Sequence, residues 1–164
     1  MLVSMKAVLD LADAKKIAVG AFNITSLEGI QAVLGAAEEL GQPVILQFAP
    51  VHESIIPLKV IGPVMVMMAE KSSVPVCVHL DHGDKLEILR EALEMGFTSV
   101  MYDGSVLPFE ENAANCPEAG LRALRNHPCA YHLSPRRGRT INRNSLSAGN
   151  SFWWFAGRYW CGAL

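Results

Sequence analysis

The sequence predicts an α/β protein on a parallel sheet: a partial (β/α)8 TIM barrel of about the first four βα units, followed by an irregular tail. Three observations carry that expectation. Short apolar runs rich in β-branched residues begin near residues 18, 44, 74 and 98, and helical periodicity fills the intervals. Right-handed helical crossovers of this length return each strand to the same direction. No Gly-x-Gly-x-x-Gly follows the first strand and no Gly-x-x-x-x-Gly-Lys occurs, so the nucleotide-binding open sheets lose support. At 164 residues the chain is well short of the ~250 that a closed barrel usually takes.

A short helix leads, near Met5 to Ala14. Ala18 to Phe22 is the first strand, after which Thr25 and Glu28 have capping-box spacing and Leu27, Ile30, Leu34 and Ala37 mark one helical face, stopped by Gly41. Pro43 precedes a second strand, Val44-Ile45-Leu46-Gln47, and a Val- and Met-rich helix lies between Pro57 and Glu70 with Pro63 at its first turn. Met65, Met67 and Met68 are read there as helical packing. Val74 to Val78 is a buried third strand, and Asp84 with Glu87 repeats the capping spacing before Leu86, Leu89 and Leu93. Gly96 ends that helix, and Thr98 to Tyr102 is the fourth strand, running into Asp103-Gly104-Ser105.

The third strand ends in His79-Leu80-Asp81-His82-Gly83, which concentrates metal-binding and acid/base groups where a strand gives way to a helix. Ligands of parallel α/β folds bind at that end of the strands, so the position suits a site. No apolar run reaches the 18 or so residues that span a bilayer, and the first residues lack the long apolar stretch of a secretory signal. A soluble, cytoplasmic protein is expected. Cys77, Cys116, Cys129 and Cys161 have no Cys-x-x-Cys spacing, which argues against a zinc knuckle, a redox pair or a disulfide scaffold.

The net charge of −2 conceals a break after residue 115. Residues 1–115 hold six Lys and one Arg against fifteen acids, whereas 116–164 hold seven Arg, no Lys and only Glu118. All three tryptophans, Trp153, Trp154 and Trp160, also fall in the second part. The expected organisation is therefore an amino-terminal half-barrel over 1–115 and a basic, Trp- and Cys-containing tail over 116–164, disordered or read from an altered frame. Arg136, Arg137 and Arg139 with nearby aromatics could form a nucleic-acid arm, but Arg clusters are more often solvated surface or disorder. Nucleic acid is not expected as a partner.

Val19-Gly20-Ala21-Phe22-Asn23, Pro43-Val44-Ile45-Leu46-Gln47, His79-Leu80-Asp81-His82-Gly83, Gly96-Phe97-Thr98-Ser99-Val100-Met101 and Asp103-Gly104-Ser105 through Asn112 together resemble the class II, metal-dependent ketose-bisphosphate aldolases, over roughly residues 5 to 115. The resemblance implies a zinc-dependent (β/α)8 barrel that reversibly cleaves a sugar bisphosphate, fructose or tagatose, into dihydroxyacetone phosphate and glyceraldehyde 3-phosphate. It implies that His82 is the first ligand of the catalytic Zn2+ and that Asp81 is the acid/base acting on the C4 hydroxyl. Zinc stabilises the enediolate left by cleavage, while the carboxylate removes and returns the hydroxyl proton. Asp103 resembles an acidic position of a second, noncatalytic metal, and Asn23 a substrate-contacting asparagine.

Each residue also has a structural reading. His82 could be a hydrogen-bonded interior histidine, Asp81 or Asn23 a helix cap, and Asp103 an Asx turn with Gly104. His79 is expected to orient its neighbours or to pack, and His52 to lie on the surface. Consecutive side chains on a strand diverge, which would aim Asp81 and His82 at different partners. Two departures from the family stand out: Gln47-Phe48-Ala49-Pro50 lacks the serine usual after the second strand, and nothing after Asn115 supplies the acidic Glu-Leu-Gly segment, the later zinc histidines or the phosphate-binding glycine loops. Two hypotheses follow: an aldolase-family site with little activity in this chain alone, or a noncatalytic half-barrel whose open strand edge favours self-association into a homo-oligomer.

Overall fold

Helix α1 (Met5–Lys15) leads into β1 (Gly20–Asn23), and α2 (Leu27–Leu40), β2 (Val44–Phe48), α3 (Leu58–Lys71), β3 (Val76–Gly83), α4 (Leu86–Glu94) and β4 (Ser99–Tyr102) follow in strict alternation. This is a computed structural model that describes residues 1–108, 110–115 and the backbone of 130–133. A fifth strand, β5 (Ala130–Leu133), lies in the stretch expected to be irregular. Four residues of Ala-Tyr-His-Leu are too short a run to show above their Arg- and Pro-rich flanks.

Every strand pair is parallel, and the order across the sheet is β1-β2-β3-β4-β5. Strands laid down in sequence order, with no reversal point, are the mark of a singly wound barrel segment and not of a doubly wound open sheet. Register aligns Asn23 with Gln47, Gln47 with His79, and His79 with Ser99. In parallel strands such partners share a face.

The two faces of the sheet are built differently. Leu46, Phe48, Val78, Leu80 and Val100 face the main core, where Ile30, Met65 and Leu89 of the three crossover helices meet them. On the opposite face, which a closing barrel turns inward, Met5 and Val8 of α1 pack on Ile45 and Cys77 near the strands' amino ends. Further along that face the side chains become polar: Gln47, His79, Asp81 and Ser99 are all buried.

Several local expectations shift. The α2 cap is Ser26, whose Oγ accepts the Gly29 N–H at 3.1 Å, and not Thr25. Leu27 then falls in the first turn, where it is 46 % exposed, while Ile30, Leu34 and Ala37 form the buried face. Gly41 ends the helix with φ 60°, a conformation that favours glycine. Pro63 lies inside α3 and not in its first turn, because the helix starts five residues earlier at Leu58, whose N–H is held at 3.0 Å by the Glu53 carboxylate. At α4 the N-cap is Lys85 with no side-chain bond, so Asp84 does not cap. Met65 is buried and Met68 packs against the core, whereas Met67 is 45 % exposed.

Candidate active site

Strand β3 continues through the whole His79 to Gly83 segment, so the polar groups belong to the strand itself. Its pairing with β4 is regular at His79↔Ser99 and Leu80↔Val100, then shifts before Gly83↔Tyr102. The extra residue absorbed by this bulge breaks the in-out alternation, and His82 takes φ 55°, a left-handed conformation rarely adopted by a non-glycine residue. Asp81 and His82 therefore do not diverge as plain strand geometry would have them. His82 Nε2 lies 3.7 Å from Asp81 Oδ1.

His82 is fixed from its other side. Its Nδ1 is 2.5 Å from Oδ2 of Asp103, the first residue past β4. With Nδ1–H donating to that carboxylate, the ring is held in the tautomer whose lone pair is on Nε2, the side that faces Asp81. Asp103 Oδ1 in turn accepts the Ser105 backbone N–H at 3.0 Å, an Asx turn. Burial alone would raise the Asp103 carboxyl, but hydrogen bonds from Ser105 and His82 outweigh it and hold the group below the ordinary Asp value. Asp103 thus serves twice, building the turn and orienting the imidazole.

Asp81 is anchored by a residue to which the sequence reading gives no role at the site. Gln47 Nε2 donates to Asp81 Oδ2 at 3.0 Å, a buried contact. His79, one step back on the same face, pairs through Nδ1 with Ser99 Oγ at 2.8 Å, in keeping with an orienting or packing histidine. Asn23 shares the Gln47 register row but is exposed at the end of the edge strand β1, and the structure does not bring it onto Asp81 or His82 through a hydrogen bond among the described residues. His52 is not a surface residue as expected: it is half-buried, its ring edge-on to Phe48, with Nδ1 buried and unpartnered.

An imidazole and two carboxylates meet at the carboxyl ends of adjacent parallel strands, the position at which barrel enzymes place their chemistry. Among the described residues, no three His, Cys, Asp or Glu side chains are arranged to hold a metal ion by themselves. The donor set fits a metal as one imidazole of a shell with an orienting carboxylate behind it. The remaining ligands of a three-residue catalytic shell are not among the described residues.

Sequence order and all-parallel pairing define a segment of an α/β barrel with polar side chains gathered at the carboxyl ends of its strands. The family model described as fructose-bisphosphate aldolase class-II matches residues 3–126, and the chain belongs to that family. The match runs past Asn115, where the composition changes. The chain is 46% identical over 114 residues to a fructose-bisphosphate aldolase of Geobacillus stearothermophilus, covering 68% of the chain and 40% of that protein. It is 41% identical over 124 residues to a 6-phospho-5-dehydro-2-deoxy-D-gluconate aldolase of Halalkalibacterium halodurans, covering 71% and 42%. Among solved structures, the YdjI aldolase of Escherichia coli K12 superposes with TM-score 0.68 at 36% identity, over 73% of this chain and 45% of that one. The chain spans about two fifths of the length of these curated relatives. No helix among the described residues is long and apolar enough to cross a membrane.

Proposed function

We propose that the chain carries the first part of a class II aldolase site, built for reversible, zinc-dependent cleavage of a ketose bisphosphate to dihydroxyacetone phosphate and glyceraldehyde 3-phosphate. The supporting observation is the adjacency of Asp81 and His82, 3.7 Å apart and each anchored from behind, by Gln47 and by Asp103. Asp81 takes and returns the proton of the substrate's C4 hydroxyl. His82 Nε2 contributes one ligand to Zn2+, with Asp103 orienting the ring and lying near a second metal position. When bound, the metal supplies Lewis-acid polarisation of the ketone. Asn23, exposed at the end of β1, contacts substrate from two strands away across the sheet.

The residues described do not fix the sugar. One relative is named for a bisphosphate and another for a 6-phospho acid, so the substrate assay spans both. Purified chain is incubated with fructose 1,6-bisphosphate, tagatose 1,6-bisphosphate and 6-phospho-5-dehydro-2-deoxygluconate, with zinc and then with chelator. Turnover that the chelator stops, and that Asp81→Asn abolishes, supports the catalytic function. A second function, a noncatalytic half-barrel, is favoured by the lack, among the described residues, of three His, Cys, Asp or Glu side chains arranged to hold a metal ion. Folded, zinc-supplemented chain that turns over none of the three supports that alternative.

A further inference from the structure

The turn that carries Asp103 to His82 closes over two buried polar side chains. Asp103 N–H donates to Gly83 O at 2.9 Å and Leu107 N–H donates to Gly104 O at 3.0 Å, while Gly104 itself lies inside the Asx turn between Asp103 and Ser105. A Cβ added at Gly104 would overlap Oδ1 of Asn112 and would lie 2.8 Å from both the Asn112 carboxamide carbon and the Tyr102 hydroxyl. Unlike Gly41 and Gly96, Gly104 has no positive φ, so the turn needs the missing side chain for space and not for conformation. We propose that Gly104 is a positioning residue of the site: by letting the turn settle on Asn112 and Tyr102, it sets the reach of the Asp103 carboxylate to His82 and with it the tautomer of the imidazole. The proposal rests on the aldolase function above, in which that ring is a working group.

The seat beneath Gly104 gives little. Tyr102 is 2 % exposed at the end of β4 in the main core, and its hydroxyl accepts from Asn115 Nδ2 at 2.9 Å. Asn112 is 5 % exposed in the helical stretch 110–115, where its N–H donates to Pro108 O at 3.0 Å. A methyl group held 2.8 Å from such neighbours has to retreat by about 1 Å to reach the ordinary contact distance of about 3.5–4.0 Å. Asp103 adjoins it in the chain and moves with it. Its Oδ2 is 2.5 Å from His82 Nδ1, and a donor and acceptor drawn apart to about 3.5 Å no longer make a useful hydrogen bond. One methyl group at residue 104 is therefore enough to uncouple the pair with neither member changed. Without the carboxylate at Nδ1, the neutral ring takes both tautomers, and the proton is found in part on Nε2, the side that faces Asp81.

The test is the nitrogen NMR spectrum of the His82 ring in the full chain at alkaline pH, where the protonated and bare nitrogens of a neutral imidazole are told apart by their shifts. The wild type is expected to show the Nδ1–H tautomer alone, and Gly104→Ala to show both. Ile30→Val, which only trims the core at α2, is expected to keep the wild-type pattern. Gly104→Ala/Asn112→Ala makes room for the added methyl group and is expected to return the ring to the Nδ1–H tautomer, although two positions have changed. A wild type that already shows both tautomers overturns the proposal, and so does a folded Gly104→Ala that keeps only one. A double variant that stays mixed also overturns it, and this arm decides the matter if Gly104→Ala alone does not fold. Mixed tautomers in Ile30→Val overturn it as well, because the ring would then report stability and not position. The spectra read the imidazole and not turnover, so their failure leaves the aldolase function standing. A wild type with the expected spectrum and no turnover of any of the three substrates overturns that function alone.

Discussion

The two ends of the sheet use the same strands for opposite purposes. Toward the amino ends, the inward face is apolar and closed by α1, with Met5 and Val8 on Ile45 and Cys77. Toward the carboxyl ends, the same face carries Gln47, His79, Asp81 and Ser99, and the backbone departs from regularity through a bulge and a positive φ. The crossover loops at the amino end are tied by uneventful caps, such as Gly41 in the left-handed region. On this face apolar packing lies at one end and polar side chains at the other, the division expected of barrel enzymes. The lesson is that Asp81 and His82 are held by side chains on the neighbouring strands, so the site can be altered with the amino end left intact.

The largest effects should separate the two ends. Val8 is fully buried, and Val8→Asp would place an unpaired carboxylate between α1 and the sheet. A loss of about 3 kcal/mol or more is expected, enough to unfold a marginal chain, and chemical denaturation measures it. Asp81→Asn should do the reverse. It keeps the shape of a buried side chain whose partner is an amide, so the denaturation midpoint should stay close to that of the wild type. Any aldol turnover should fall by about 10²–10⁴-fold, the usual contribution of a positioned acid/base. Comparable destabilisation by both variants would remove the distinction between the ends.

A finer test lies at His82, where the site meets backbone strain. His82→Gly and His82→Ala remove the same imidazole and the same bond to Asp103, but only glycine enters φ 55° without steric cost. The Gly variant is expected to be more stable than the Ala variant by about 1 kcal/mol, read from urea denaturation of the pair. Equal stabilities would mean that the left-handed turn relaxes once the imidazole is gone.

Much of this was legible in the residues. The βα alternation follows from apolar runs and their spacing, and the parallel order follows from the crossovers. The Asp81-His82 pair stands out as polar groups at the end of a buried strand, whereas Asp103 is marked out only by the family resemblance. What the residues hide is geometry set by neighbours. Period-two alternation says that Asp81 and His82 diverge, and only the β3 to β4 register shift brings them within 3.7 Å. Gln47 reads only as the last residue of the second strand, and its bond to Asp81 depends on the pairing of β2 with β3. The α2 cap also moved by one residue: Ser26 and Thr25 both can cap, and Ser, the stronger capping residue, takes the position.

The smallest expected effect returns to the amino end and is a pH effect. Glu38, in the last turn of α2, accepts from Ser72 Oγ at 2.7 Å and from the Ser73 N–H at 2.9 Å, tying α2 to the loop that enters β3. The Ser72 hydrogen bond, followed by the Ser73 backbone bond, holds its carboxyl below the ordinary Glu value. A folded-state value below the unfolded one means that the contribution is present above the ordinary carboxylate range and is lost as pH falls through the folded value. Glu38→Gln should therefore remove a small part of the acid sensitivity of the unfolding midpoint and leave zinc binding at His82 unchanged, since the two groups lie at opposite ends of β3. Denaturation curves collected for both proteins from neutral pH down through the carboxylate range decide it. A variant whose midpoint falls as steeply with acid as the wild type's would show that the tie contributes nothing. A variant with altered zinc binding would show that the two ends are coupled through the strand.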